Sequence, residues 1–301
     1  MVTEALAYSF KPGEPIHADV KRIVSEELDS AIEHLEGRGE PDRDEAIHEA
    51  RKNVKKVRGV LRLVRQELGM TYAVENQRLR GVGRSLSEFR DAGAMLEIFE
   101  QLSKRQGGDW SARPGIALIR ARLMEAKSGH AFADVLSAAG QELRAVRENV
   151  KDWPLHTGGF EAIAHGLERT YRNGRRAIRR ALDEPSAENY HAWRKRVKDH
   201  WYHVRLIGRV CGDALSFYQQ DLKDLETYLG DDHNLAVLRQ RVAGENDLQF
   251  FWSAVENDQS TLRSSAVLLG QTIYHDNPAV FIRQLRNLWQ AWAQDREAIL
   301  T

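Results

Sequence analysis

An eight-residue pattern, H-x-x-R-K-x-V-K, occurs twice: His48-Glu49-Ala50-Arg51-Lys52-Asn53-Val54-Lys55 and His191-Ala192-Trp193-Arg194-Lys195-Arg196-Val197-Lys198. Arginine presents a planar fork matched to phosphate oxygens and lysine a mobile point charge, so a mixed lining suits phosphoryl groups in no fixed register. His48 and His191 open the two patterns. Each imidazole can donate to an anion or simply cap and pack its helix, and the sequence leaves both roles open. Seven Lys/Arg and no acid lie between Ala50 and Gln66, and only Asp199 interrupts the six cations from Arg194 to Arg209. Arg169, Arg172, Arg175, Arg176, Arg179 and Arg180 form a third acid-free block. Like charges at this density repel, whereas ordinary solvated helix faces interleave acids at i+3 or i+4.

The elements that position these residues read as helices. Ile47, Ala50, Val54, Val57, Leu61, Val64 and Leu68 step by three and four, and Gly69 provides a stop. At 100° per residue, Arg51, Lys52, Lys55, Lys56, Arg58 and Arg62 fall on an arc opposite that stripe, and Arg172, Arg175, Arg176 and Arg179 share a face of another helix. Asp42 with Glu45 marks the start of the first basic helix, and Ser186 after Pro185 that of the second. Shorter helical patterns cover about 16–36, 71–86, 88–104, 114–128 and 132–151, then about 160–183, 213–229, 231–242, 245–270 and 276–300. Trp289 and Trp292 read as core. Strand-like alternation is absent.

The two basic patterns are offset by 143 residues. At the same offset Arg62-Leu63-Val64 meets Arg205-Leu206-Ile207, and Leu86 through Asp91 meets Leu229 through Asn234. The expected fold is all-α: two pseudo-twofold-related helical bundles from an internal duplication, residues 12–152 and 158–301, with a basic groove between them. Trp153 through Gly159, with its Pro and paired Gly, reads as the joint.

The 301 residues carry 44 Lys+Arg against 44 Asp+Glu, 42% hydrophobic residues and 7 prolines, a composition that excludes disorder and favours helices. Neutrality conceals segregation, because acids gather elsewhere: Asp213, Asp221, Asp224, Glu226, Asp231 and Asp232, then Glu245, Asp247, Glu256 and Asp258. Cys211 is the single cysteine, which rules out an internal disulfide and a Cys-rich zinc site. No apolar run is long enough to span a bilayer, and Met1–Lys11 lacks an export signal, so a cytoplasmic location is expected.

His200-x-x-His203 has the spacing of a metal pair, but Asp199 is its only nearby acid and the surrounding cations repel a divalent ion. Neither a metal site, a cofactor nor catalysis is expected. Base readout would call for exposed amides or aromatics among the cations, and only Asn53, Trp201 and Tyr202 qualify, which puts nucleic acid behind phosphate as a partner. An acidic protein segment in the groove is a third reading.

These motifs resemble the CHAD family, the conserved histidine α-helical domains. Leu86-Ser87-Glu88-Phe89-Arg90-Asp91 and Leu229-Gly230-Asp231-Asp232-His233-Asn234 are similar to its L-G-x-x-R-D element, and Tyr171-Arg172-Asn173-Gly174-Arg175-Arg176 to its arginine-rich helix. The resemblance covers nearly the whole chain. It implies binding of inorganic polyphosphate in the central groove without catalysis, and, through that ligand, association with polyphosphate granules. The residues it implicates are His48, Arg51, Lys52, Lys55, His191, Arg194, Lys195 and Lys198, then Arg58, Arg62 and Arg205, and Arg172, Arg175, Arg176 and Arg179. Lys56 and Tyr202, on the same helices, complete the expected lining. The sequence departs from the family pattern at Trp201 and His233.

Overall fold

The computed structural model describes residues 8–11, 13–37, 43–87, 133–241 and 249–300, with isolated positions between 99 and 121. Ten α-helices lie among the described residues: α1 (Ile16–Leu35), α2 (Arg43–Leu63), α3 (Arg65–Leu68), α4 (Met70–Ser85), α5 (Ala133–Asn149), α6 (Glu161–Asp183), α7 (Ala187–Cys211), α8 (Ser216–Arg241), α9 (Gln249–Ile273) and α10 (Pro278–Leu300). No strand occurs among them. The fold is all-α, as the periodicity requires. Asp42 and the expected helices at 88–104 and 114–128 lie outside the described residues, apart from a few isolated helical positions.

Local rules account for most boundaries. Ser186 caps α7 by accepting from the Asn189 N–H at 3.2 Å, and Asp44 and Glu45 place negative charge on the first turn of α2. Two expectations need correction. The basic helix read as continuous to Leu68 breaks at Val64, leaving α3 as a separate turn that ends at Gly69. Conversely, the patterns at 213–229 and 231–242 form one helix, α8, through Gly230. A glycine inside a helix costs only about 1 kcal/mol, and here it makes room for a neighbour. A methyl group at Gly230 would sit 3.3 Å from Nε of Arg194.

Helix α1 packs on α2 and α5, with α4 against α2 and α5; α7 packs on α6 and α8, α8 on α9, and α10 on α6 and α7. One large cluster of buried apolar side chains includes residues from Tyr8 to Leu285 and draws on both halves of the chain. The expected joint is a packed segment: Trp153 and Leu155 are buried, and the Ile16 N–H donates to the Gly158 carbonyl at 2.9 Å. Trp289 and Trp292 pack against the core, with the Trp289 ring 5.7 Å from Phe160.

Helix α2 is the pivot, because it meets both α6 and α7. Where it crosses α7, a methyl group on Gly59 would lie 3.3 Å from Cβ of Tyr202. Gly59 and Tyr202, which meet at the crossing, are separated by the same 143 residues as the two motifs. His203 locks it, its Nε2–H donating to the Gly59 carbonyl at 2.9 Å. Helix α6 comes closer still. A methyl group at Gly166 would fall 1.9 Å from the Leu63 carbonyl oxygen, so only glycine permits the contact.

Candidate functional site

On one side of this crossing the two histidine motifs face each other. Lys55 from α2 lies in the field of Lys198 and Arg194 from α7 and of Arg51 from its own helix. Lys55 is solvent-exposed and has no hydrogen bond or ion pair among the described residues. Desolvation by the surrounding protein, then Lys198, Arg51 and Arg194, pull its pKa down to about 7, against a partial restoring effect of Glu226. Lys55 therefore combines exposure with dense, like-charged surroundings.

Glu226 is the feature that the sequence pattern missed. It stands among acids expected to lie apart from the basic helices, yet α8 inserts it between them. Its Oε1 accepts from Arg194 at 3.1 Å and Lys198 at 3.2 Å, and its Oε2 from Lys223 at 3.1 Å. Burial alone would raise its pKa, but Lys198, Arg194 and Lys223 outweigh burial and hold it at about 2. The expected segregation of charge is therefore corrected: one carboxylate orders three cations and neutralises one of them. Lys223, absent from the expected lining, belongs to this cluster. Its ammonium and the Arg205 guanidinium lie over the Trp201 ring, at 5.0 and 4.9 Å from the centroid.

The other expected residues separate into groups. Arg51 reaches Ser87 at 3.0 Å, and Lys52 pairs with Glu49 at 2.9 Å. His48 is more than a third exposed, beside Glu49. Lys195 is exposed. His191 stacks on His233 with centroids 3.7 Å apart; desolvation, His233, Lys195 and Arg194 lower its pKa to about 4. Near neutral pH the ring is uncharged and can offer only a neutral N–H.

Two expectations fail on burial. Lys56 is 3% exposed and pairs at 3.0 Å with buried Glu27, under the ring of Tyr8, so it faces the core rather than the groove. The arc assigned from 100° steps was drawn too wide. Tyr202 is buried against Gly59 and 5.9 Å from the Tyr8 ring, with its pKa raised chiefly by desolvation; it packs the crossing.

Arg58 and Arg62 lie beyond the crossing. Arg62 pairs with Asp199 at 2.6 Å, while Arg58 bonds to Asn76 at 3.1 Å. On α6, Arg169, Thr170 and Asn173 approach this region. At 100° per residue Arg176 falls about 20° round the helix from Arg169, Arg172 about 60°, Arg179 about 80° and Arg175 about 120°. Arg172 is paired with Glu168 on its own helix, and Arg176 and Arg179 are exposed. Their shared face is real.

His200 and His203 do not converge on a metal. His200 is buried among Tyr171, Tyr218, Tyr274 and Phe281, and His203 points to Gly59. Desolvation is the leading cause that holds both neutral, with pKa values of about 3 and 4. Among the described residues, no group of three His, Cys, Asp or Glu is placed to hold a metal ion.

Two helices that carry repeated histidine-led basic motifs and bring their cations together at a crossing define a class of all-α protein. The model of the CHAD domain family matches residues 22–243, and the chain belongs to that family. Among solved structures, it is similar to the CHAD domain from the plant Ricinus communis, at 15% identity and a TM-score of 0.56 over 89% of this chain and 94% of that one. It is also similar to PptA from Streptomyces chartreusis, at 14% identity and a TM-score of 0.52 over 93% and 99% of the respective chains. Both likenesses concern the fold. No curated protein matches the chain. None of its helices among the described residues is long and apolar enough to cross a membrane.

Proposed function

We propose that the groove binds inorganic polyphosphate, held by Arg51 and Lys55 from α2, Arg194, Lys195, Lys198 and Arg205 from α7, and Lys223 from α8. The observation that carries this reading is Lys55, an exposed and unpaired ammonium whose pKa is lowered by desolvation and by cations from two helices. A polyanion laid along the groove would relieve this repulsion, and each neutralised phosphoryl charge releases a counterion. Membership in the CHAD family supports the same ligand class.

Nucleic acid is the weaker reading, because the aromatic residues that would stack bases are already engaged. Arg205 and Lys223 lie over Trp201, and Tyr202 is buried. The proposal contains no bond-breaking step, so polyphosphate incubated with the protein should keep its original length on a gel. In a filter-binding assay with labelled polyphosphate, Arg51→Glu combined with Arg194→Glu should abolish retention, and excess DNA or RNA should displace the label poorly. Retention that survives the double reversal, or equal displacement by nucleic acid, overturns the reading.

A further inference from the structure

Past the crossing, α2, α3, α6 and α7 enclose a second cationic site, separate from the groove. A recess of about 120 Å³ is lined by Arg62, Arg65, Arg169 and Arg196, with Asp199, Asn173 and Tyr72 completing its wall. On α7, Arg196 and Asp199 lie about 100–160° round the helix from Arg194 and Lys198, so the recess opens on another side of that helix. Four guanidinium groups face a single carboxylate. Asp199 takes Arg62 at 2.6 Å and Arg196 at 3.5 Å. Among the described residues Arg65 has only the Tyr72 ring, 4.7 Å from its centroid, and Arg169 donates to the Arg62 carbonyl.

This arrangement is costly without an anion. Nε of Arg62 is buried and has no hydrogen-bond partner among the described residues. Desolvation followed by Arg65 lowers the pKa of Arg169, and desolvation followed by Arg62 lowers that of Arg58. The positions 143 residues away offer a contrast. Lys56 stands where α7 has Asp199, and Glu27 where α6 has Thr170; there a buried 3.0 Å ion pair neutralises the charge from within. The recess has no such internal partner for its excess arginines.

We propose that this recess binds one protonated phosphoryl group, either free orthophosphate or the end of a phosphate chain. The volume is roughly four waters' share of liquid, room for one tetrahedral oxyanion and not for a run of them. Arginine forks from three directions match its oxygens. Asp199 supplies the selectivity. Phosphate at neutral pH still carries a proton, which it can donate to the carboxylate, whereas sulfate has none and would meet Asp199 as a bare like charge. The interior groups of a phosphate chain are likewise unprotonated. The site is independent of what the groove binds.

Equilibrium dialysis of the full chain with radiolabelled orthophosphate tests the inference. One phosphate per chain is expected, with sulfate displacing it at least about tenfold less well, a difference of ~1.4 kcal/mol. Arg169→Met and Arg196→Met should each weaken binding by a similar factor. Arg65→Met does the same at an exposed position, where folding is not in question. Lys55→Met, in the groove, should leave orthophosphate binding within about twofold, which separates failure of this site from failure of the groove reading. In that groove variant, displacement by tripolyphosphate assigns the recess to chain ends, and its absence assigns it to free orthophosphate. Equal competition by sulfate, loss of orthophosphate binding in Lys55→Met, or no binding at ~10 mM phosphate overturns the inference.

Discussion

Replacing Lys55 by methionine should make the protein more stable and, at the same time, a weaker polyanion binder. The ammonium has its ordinary pKa of 10.5 in the unfolded chain and about 7 when folded. Between these values the unfolded state binds more protons, so the stability contributed by this residue rises with pH from about 7 to 10.5 and is at its lowest below 7. A pKa drop of this size corresponds, unscreened, to roughly 4–5 kcal/mol at ~1.4 kcal/mol for each pH unit. Lys55 is exposed, and solvent screening reduces this to about 1 kcal/mol. Denaturant unfolding should therefore show Lys55→Met stabilised by about 1 kcal/mol at pH 6.5, with the gain vanishing above pH 10. A bound polyphosphate would raise the Lys55 pKa again, so wild-type affinity should fall about tenfold from pH 6.5 to 9, with proton uptake on binding. The variant should bind about tenfold more weakly at pH 6.5, with a flatter pH profile and a salt slope reduced by about one charge. A destabilised variant, or one that keeps the wild-type pH profile, refutes the reasoning about convergent charge.

Glu226→Gln should destabilise the protein by about 3–5 kcal/mol, because three cations would lose their buried counter-charge. The same change should steepen the salt dependence of polyphosphate binding. In the wild type, the stabilisation by Glu226 should be present at neutral pH and lost as acid titration proceeds from about 4.5 toward its folded-state pKa of about 2, measurable by acid unfolding of both proteins. His191 should titrate near pH 4 by NMR, and His191→Gln should leave the pH dependence of binding between 6 and 8 unchanged; a midpoint above 6 contradicts the stacked, desolvated ring. Gly166→Ala should cost about 3 kcal/mol, read as a lowered unfolding midpoint, since its methyl group would overlap the Leu63 carbonyl. An unchanged midpoint would mean that α6 and α2 do not approach as described.

The sequence carried the helices wherever periodicity and caps agreed, as with α2, α6 and α7, whose stripes and acidic or serine starts are local features. It also carried the cations that meet where α2 crosses α7. Arg51, Lys55, Arg194 and Lys198 recur at fixed spacing on amphipathic helices, and spacing alone puts them on the face opposite the apolar stripe. Angular reasoning failed at the margins of that face. Lys56 lies about as far round the helix from the stripe as Lys55 does, and its direction was decided by Glu27 on another helix, a partner that no i+3 or i+4 rule can see.

Tertiary packing decided the rest. Glu226 and Lys223 joined the cations of α7 because α8 packs along α7, and Gly230 allowed α8 to run on past Arg194. The shared face of Arg172, Arg175, Arg176 and Arg179 was legible, but its direction was set by Gly166 pressing the opposite side of α6 onto Leu63. Residue type and helical phase are encoded locally, so the order of letters determined which chemistry each face of a helix bears. Which faces meet depends on contacts between residues far apart in the chain, and only the folded molecule decided where charges from separate helices add and where they cancel.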